Sequence, residues 1–165
     1  EQLIHDVLNL SQIANIEMKR DRVDLTNAVK EIVSDLKQSD PERKAAFEIE
    51  DGVFARGDER LLRLALQNLL ENAWKFTSKR PDTRIEFGTE KTSNGAVYFV
   101  RDNGVGFDPA EIDKLFIPFM RLHKTTEFPG TGIGLAIVHR VVQRHGGTVR
   151  AESGEDEGAT FSFTL

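Results

Sequence analysis

The chain contains no cysteine. That excludes disulfides, thiolate-bound zinc and thiol catalysis together, and it fits a reducing compartment. It also lacks a basic excess: across 165 residues the net charge is −5, so nucleic acid is not expected as a partner. No apolar run is long enough to span a bilayer, and no secretory signal is visible. Tryptophan and tyrosine occur once each. What remains is an ordinary globular composition, 39% hydrophobic and 30% charged, in a length suited to one domain with a substantial core. The chain opens on Glu1 without methionine, so a fragment of a longer protein is expected.

The first 20 residues read as a helix. Leu3, Val7, Leu10 and Ala14 form a heptad seam, widened by Ile4, Leu8 and Ile13. "RVDLT" reads as a short extended piece with Thr26 as N-cap of a second helix, whose apolar face is Val29, Ile32, Val33 and Leu36. "AFEIE" and "VFARGD" read as a strand pair around Asp51-Gly52. Asp58 is expected to cap a long helix, 59 to 76. Leu62, Ala65, Leu66, Leu69, Leu70 and Ala73 fill its core face, while Asn68, Glu71, Asn72 and Lys75 make a compact polar stripe. Two asparagines at i, i+4 are unusual there, because asparagine is a weak helix former.

"RIEFGTE" and "AVYFVRD" alternate as strands joined through Asn94-Gly95, and "DPAE" at 108–111 signals a short helix. Residues 120–130 lack periodicity and read as a loop. "GTGIG" at 130–134 feeds a helix stopped by Gly146-Gly147, and "TVRAES" with "ATFSFTL" forms a closing hairpin. This order predicts an α+β layered domain, not regular βαβ winding. The glycine run is not the dinucleotide fingerprint, because Leu135 stands at its sixth position, and Walker A and protein-kinase patterns are absent. His5, His123, His139 and His145 are scattered and are expected at the surface rather than on a metal.

Four stretches in one order carry a resemblance: "NLLENAWKF" (68–76), "DNGVGFD" (102–108), "LFIPFMRLH" (115–123) and "GTGIGLAIV" (130–138). They resemble the N box, first glycine box, F box and second glycine box of the ATP-binding domain of sensor histidine kinases. That domain belongs to the GHKL superfamily, shared with gyrase, heat-shock chaperone and mismatch-repair ATPases. The resemblance covers residues 21 to 165, including the last strand "GATFSFTL", and the wording around "FMRLH", "FPGTGIGLA" and "QRHGG" is similar to the phytochrome-linked type. It implies a two-layer α/β sandwich of the Bergerat type, with ATP and Mg²⁺ as cofactors.

By this resemblance Asp102 accepts a hydrogen bond from the adenine amino group, and Gly104 and Gly106 let the backbone approach the nucleotide. Asn72 ligates Mg²⁺ with Asn68 beside it, Lys75 reaches phosphate, and Phe76, Phe107 and Thr160 lie on the adenine side. Gly130, Thr131, Gly132, Ile133, Gly134 and Leu135 wrap the phosphates. Residues 120–130 become a lid whose Arg121, His123 and Lys124 could meet the γ-phosphate. Asn68, Glu71, Asn72 and Lys75 are the candidate catalytic group. Hydrolytic relatives carry a glutamate four residues before the Mg²⁺ asparagine, where this chain has Asn68. That favours transfer to a histidine over hydrolysis.

His5-Asp6 has the acidic neighbour of a family acceptor, but its continuation, "HDVLNLSQI", resembles the second helix of the dimerisation domain. Residues 1–20 are therefore expected to be a remnant of that bundle helix, and 21–165 the catalytic domain. The implied partners are the protein's own dimerisation and acceptor domain and a response-regulator receiver domain. The full-length protein is expected to be a homodimer and this domain cytoplasmic. The alternative is a transfer-inactive nucleotide-binding module of the same fold.

Overall fold

The computed structural model describes residues 1–123, 126–154 and 156–165. Asp58 caps α3 (Glu59–Phe76), its Oδ1 accepting from the backbone N–H groups of Arg60 at 3.1 Å and Leu61 at 3.2 Å. This satisfies two donors that no helix can pair internally. The leucine face of α3 is buried, as its 3.6-residue period requires. It packs beside α2 (Leu25–Ser39) and α4 (Gly134–Arg144).

These helices cover one face of a five-stranded sheet ordered β2-β4-β5-β7-β6. Its strands are β2 (Ala45–Ile49), β4 (Thr83–Thr92), β5 (Gly95–Asp102), β6 (Val149–Ser153) and β7 (Ala159–Phe163). β2 runs parallel to β4, and the other neighbours are antiparallel. Ile85, Phe87, Val100, Phe161 and Phe163 send alternate side chains into the core between the layers. The layered α+β sandwich expected from the sequence is the architecture found.

Four local expectations are corrected. The "AFEIE" and "VFARGD" strands do not pair with each other. β3 (Phe54–Gly57) instead pairs antiparallel with β1 (Asp21–Asp24) in a separate two-stranded sheet. The backbone groups a hairpin would use are occupied: the Thr26 hydroxyl donates to Glu50 O at 2.7 Å and accepts from Val53 N at 2.9 Å, and Leu25 N donates to Val53 O. Thr26 is therefore buried in that clamp, and Asp24 caps α2, its Oδ1 accepting from Asn27 N at 2.9 Å.

The first helix, α1 (Gln2–Ile13), stops short of residue 20. Arg144 of α4 donates to the carbonyls of Ile13, Ala14 and Ile16, taking up acceptors that a continuing helix would have used.

His145 is the fourth departure. It is 3% exposed rather than a surface group. Its Nδ1 donates to Val141 O at 2.8 Å, and its Nε2 accepts from Asp58 N at 3.0 Å. The ring thus ties the C-terminus of α4 to the start of α3, and burial holds its pKa below the ordinary histidine value.

Candidate functional site

A cleft of about 280 Å³ opens between α3, the start of α4 and the ends of β5 and β7. The period of α3 places Asn68, Glu71, Asn72, Lys75 and Phe76 on the cleft side while its leucines face the core. Asp102 lies at the deep end, 7% exposed, where β5 stops. Its Oδ1 accepts from Gly104 N at 2.8 Å. Burial drives its pKa up to about 6, against the downward pull of the Gly104 and Ala159 backbone donors.

Gly106 and Phe107 also line this end. Gly106 has φ +67, and a Cβ there would lie 2.1 Å from Gly154 O. A Cβ on Gly104 would lie 2.5 Å from Phe76 O. The end of α3 therefore demands glycine at 104, and Gly104 is not among the residues lining the cleft.

The other end is built from loops. Gly130, Thr131, Gly132, Gly134 and Leu135 line it, and α4 begins there without a side-chain cap. Its first N–H groups are therefore available to an anion. Ile133 is fully buried and does not line the cleft. Asn68 Nδ2 donates to Leu64 O at 2.8 Å, which leaves Oδ1 toward the loop, so close that a Cβ on Gly134 would lie 2.7 Å from it. Among the described residues the Asn72 side chain has no hydrogen-bond partner and faces the cleft. Lys75 is half-buried, and burial, with Arg121 nearby, lowers its pKa while Glu71 opposes. An anion entering here would meet a desolvated cation.

Arg121 lies in the cleft wall, but its guanidinium donates to the carbonyls of Gly130 and Phe128, so it ties the loop to itself. His123 is not at the glycine-loop end. Its Nε2 bonds Gly106 O at 2.9 Å, and its ring sits 5.2 Å from Phe76 and 5.4 Å from Phe128. Lys124 lies outside the described residues. Thr160 is on the opposite face of the sheet, where its hydroxyl accepts from Arg101 Nε at 3.2 Å. Strand alternation puts its neighbours Ala159 and Phe161 in the cleft instead.

Phe128, Asp6 and Gln2 were missed from sequence. Phe128 had a faint signal as the aromatic before "PG", but Asp6 and Gln2 had none, because only tertiary packing brings α1 here.

The cleft residues outside α1 all fall within the stretch matched by one family. The histidine kinase-, DNA gyrase B- and HSP90-like ATPase family covers residues 57–165. The chain belongs to this family. Among curated proteins it is 35% identical over 166 residues to cyanobacterial phytochrome A of Nostoc sp., covering 100% of this chain and 21% of that protein. The chain spans 18%, 21% and 22% of the length of three such relatives.

Among solved structures, full-length ShkA in complex with AMPPNP superposes with a TM-score of 0.79 at 26% identity, over 98% of this chain and 34% of that one. The mycobacterial sensor histidine kinase MprB gives a TM-score of 0.69 at 26% identity, over 88% of this chain and 95% of that one. The sandwich fold is that of histidine kinase catalytic domains. No described helix is long and apolar enough to cross a membrane.

Proposed function

We propose that this domain binds ATP with Mg²⁺ and donates the γ-phosphate to a histidine on a helical acceptor domain, as the catalytic module of a dimeric two-component sensor kinase. The observation that carries the reading is Asp102, a nearly buried carboxylate at one end of a cleft whose other end gathers an uncapped helix start, a desolvated lysine and two amides. Ionised, the carboxylate only accepts, so it selects a purine amino group over a carbonyl. Phe76, Phe107 and Phe161 supply apolar wall beside it. Toward the opening, Lys75 and the N–H groups of α4 favour phosphate.

Asn72, with Asn68 Oδ1 beside it, fits magnesium, which prefers oxygen donors and keeps several waters. The metal would supply charge neutralisation across the phosphates. Transfer breaks the bond between the γ-phosphorus and the bridging oxygen, forms one from phosphorus to an imidazole nitrogen, and releases ADP. The side chains here position and shield; none is placed to activate water. Asn68 cannot take a proton, and Glu71 is exposed and accepts from Gln67 Nε2 at 2.9 Å.

Residues 1–20 are read as part of the second bundle helix of the dimerisation domain and 21–165 as the catalytic domain. A response-regulator receiver domain is the onward phosphate acceptor, and the cytoplasm is the compartment. The family match and the kinship to MprB and ShkA support this assignment.

The test is incubation with γ-labelled ATP and Mg²⁺, with and without a separately supplied acceptor-helix domain. Acid-labile label is expected on the supplied histidine and not on this chain. Label on this chain that disappears in His5→Gln would make His5 the acceptor and displace the second-helix reading. ATP binding with no label anywhere would favour a transfer-inactive module.

A further inference from the structure

The family match begins at residue 57, yet two residues of α1, Gln2 and Asp6, line the cleft. The helix is held firmly at one end only. Ile13 is 1% exposed, and Arg144 grips the carbonyls that follow it. Its N-terminal half leaves Leu3, Ile4, Val7 and Leu8 exposed, so little burial holds it down. What fastens it is Asp6. The Thr131 hydroxyl donates to Asp6 Oδ2 at 2.6 Å, while Gln2 Nε2, on the same helix, donates to Oδ1 at 2.8 Å and orients the carboxylate.

Thr131 stands between Gly130 and Gly132, and a Cβ on Gly130 would lie 3.0 Å from Lys75 Nζ. The loop that faces phosphate in the nucleotide reading therefore spends its hydroxyl on a carboxylate. A hydroxyl has one proton to donate, so Thr131 cannot serve Asp6 and a phosphate oxygen together. The carboxylate also places like charge beside that phosphate.

We propose that Asp6 is a specificity residue of the nucleotide site, contributed from outside the catalytic domain. It holds the glycine loop in the nucleotide-free state and disfavours the most phosphorylated ligand, so that ATP must displace the N-terminal half of α1 about its anchor at 13–16. Adenosine, which never reaches Thr131, binds with α1 in place. The proposal rests on the nucleotide reading of the cleft.

Asp6→Asn keeps the shape and an acceptor oxygen while removing the charge. Calorimetry with ATP and with adenosine should show ATP binding tightened about three- to tenfold in the variant, the size expected of one screened charge pair, with adenosine unchanged. Because the chain has no cysteine, His5→Cys with Asn94→Cys gives a unique spin-label pair. The distance between the labels should change with ATP and not with adenosine. An unchanged ratio of ATP to adenosine affinity in Asp6→Asn, or a distance that ATP leaves unmoved, overturns the role of Asp6 while leaving the site reading intact. Failure of the unmodified chain to bind either ligand overturns the nucleotide reading and this proposal with it.

Discussion

The two ends of the cleft are built differently. The Asp102 end is built mainly on regular elements, the end of β5, the neighbouring strand β7 and the last turn of α3, with Gly106 and Phe107 of the segment after β5 set against them. The glycine-loop end is made of chain without regular structure, held by a few side-chain hydrogen bonds: Arg121 to the carbonyls of Gly130 and Phe128, and Thr131 to the Asp6 carboxylate. Nearby, Ile117, Phe119 and Met120 are 49%, 60% and 40% exposed. A sheet end buried on one face changes shape only at the cost of core packing. A loop held by a few polar bonds exchanges them for others at small net cost. The base-reading end is therefore expected to be preformed and the phosphate end to reorganise around its ligand.

The contrast is sharpest at Asp102. Asp102→Asn should weaken ATP binding by about a hundredfold or more, because a buried base-reading group left mispaired costs roughly 3 kcal/mol. The fold should survive, since the substitution removes a buried charge. Calorimetry beside thermal melting checks both, and unchanged affinity would remove Asp102 from the site. At the opposite end, Asn72→Ala should cost about tenfold or more in the presence of Mg²⁺ and little in its absence. Equal losses with and without metal would end the metal-ligand assignment.

Two buried titrating groups set the pH behaviour in opposite directions. The folded chain holds the Asp102 proton more tightly than the unfolded chain does, with a pKa of about 6 against 3.8. Its contribution to stability is therefore present at low pH and lost as pH rises through that interval. His145 is the reverse. Its folded pKa is lowered, and its Nε2 must stay unprotonated to accept from Asp58 N, so stability is lost as pH falls below the ordinary 6.5. Melting curves across pH should flatten on the first limb in Asp102→Asn and on the second in His145→Gln. Adenosine affinity should also fall as pH drops below about 6, because the amino group needs the ionised carboxylate.

The smallest effect concerns motion without ligand. Residues 120–123 and 126–130 should exchange amide hydrogens faster than α3, and ATP should slow them. Protection equal to that of α3 in the free chain would erase the distinction between the two ends.

The sequence by itself determined whatever repeats within a turn or a pleat. The leucine face of α3 and its opposing stripe follow from a 3.6-residue period, and the Asp58 cap from a carboxylate one step before a helix. The β4–β5 and β6–β7 hairpins follow from alternation between turn residues. Family wording then carried most of the cleft. What it could not carry depends on partners distant in the chain. β3 chose β1 because Thr26 had already taken the backbone of the 50–53 turn. Thr160 faces away because the register of β7 against β5 turns Ala159 and Phe161 inward. His145 is buried because the N-terminus of α3 offers it a donor from 87 residues away. Asp6 meets Thr131 across 125 residues, a pairing that only the packing of α1 on α4 brings within hydrogen-bond reach. Local periodicity fixes which face of an element is apolar. Which element that face meets is decided by the competition of all elements for the same buried surface and the same backbone donors.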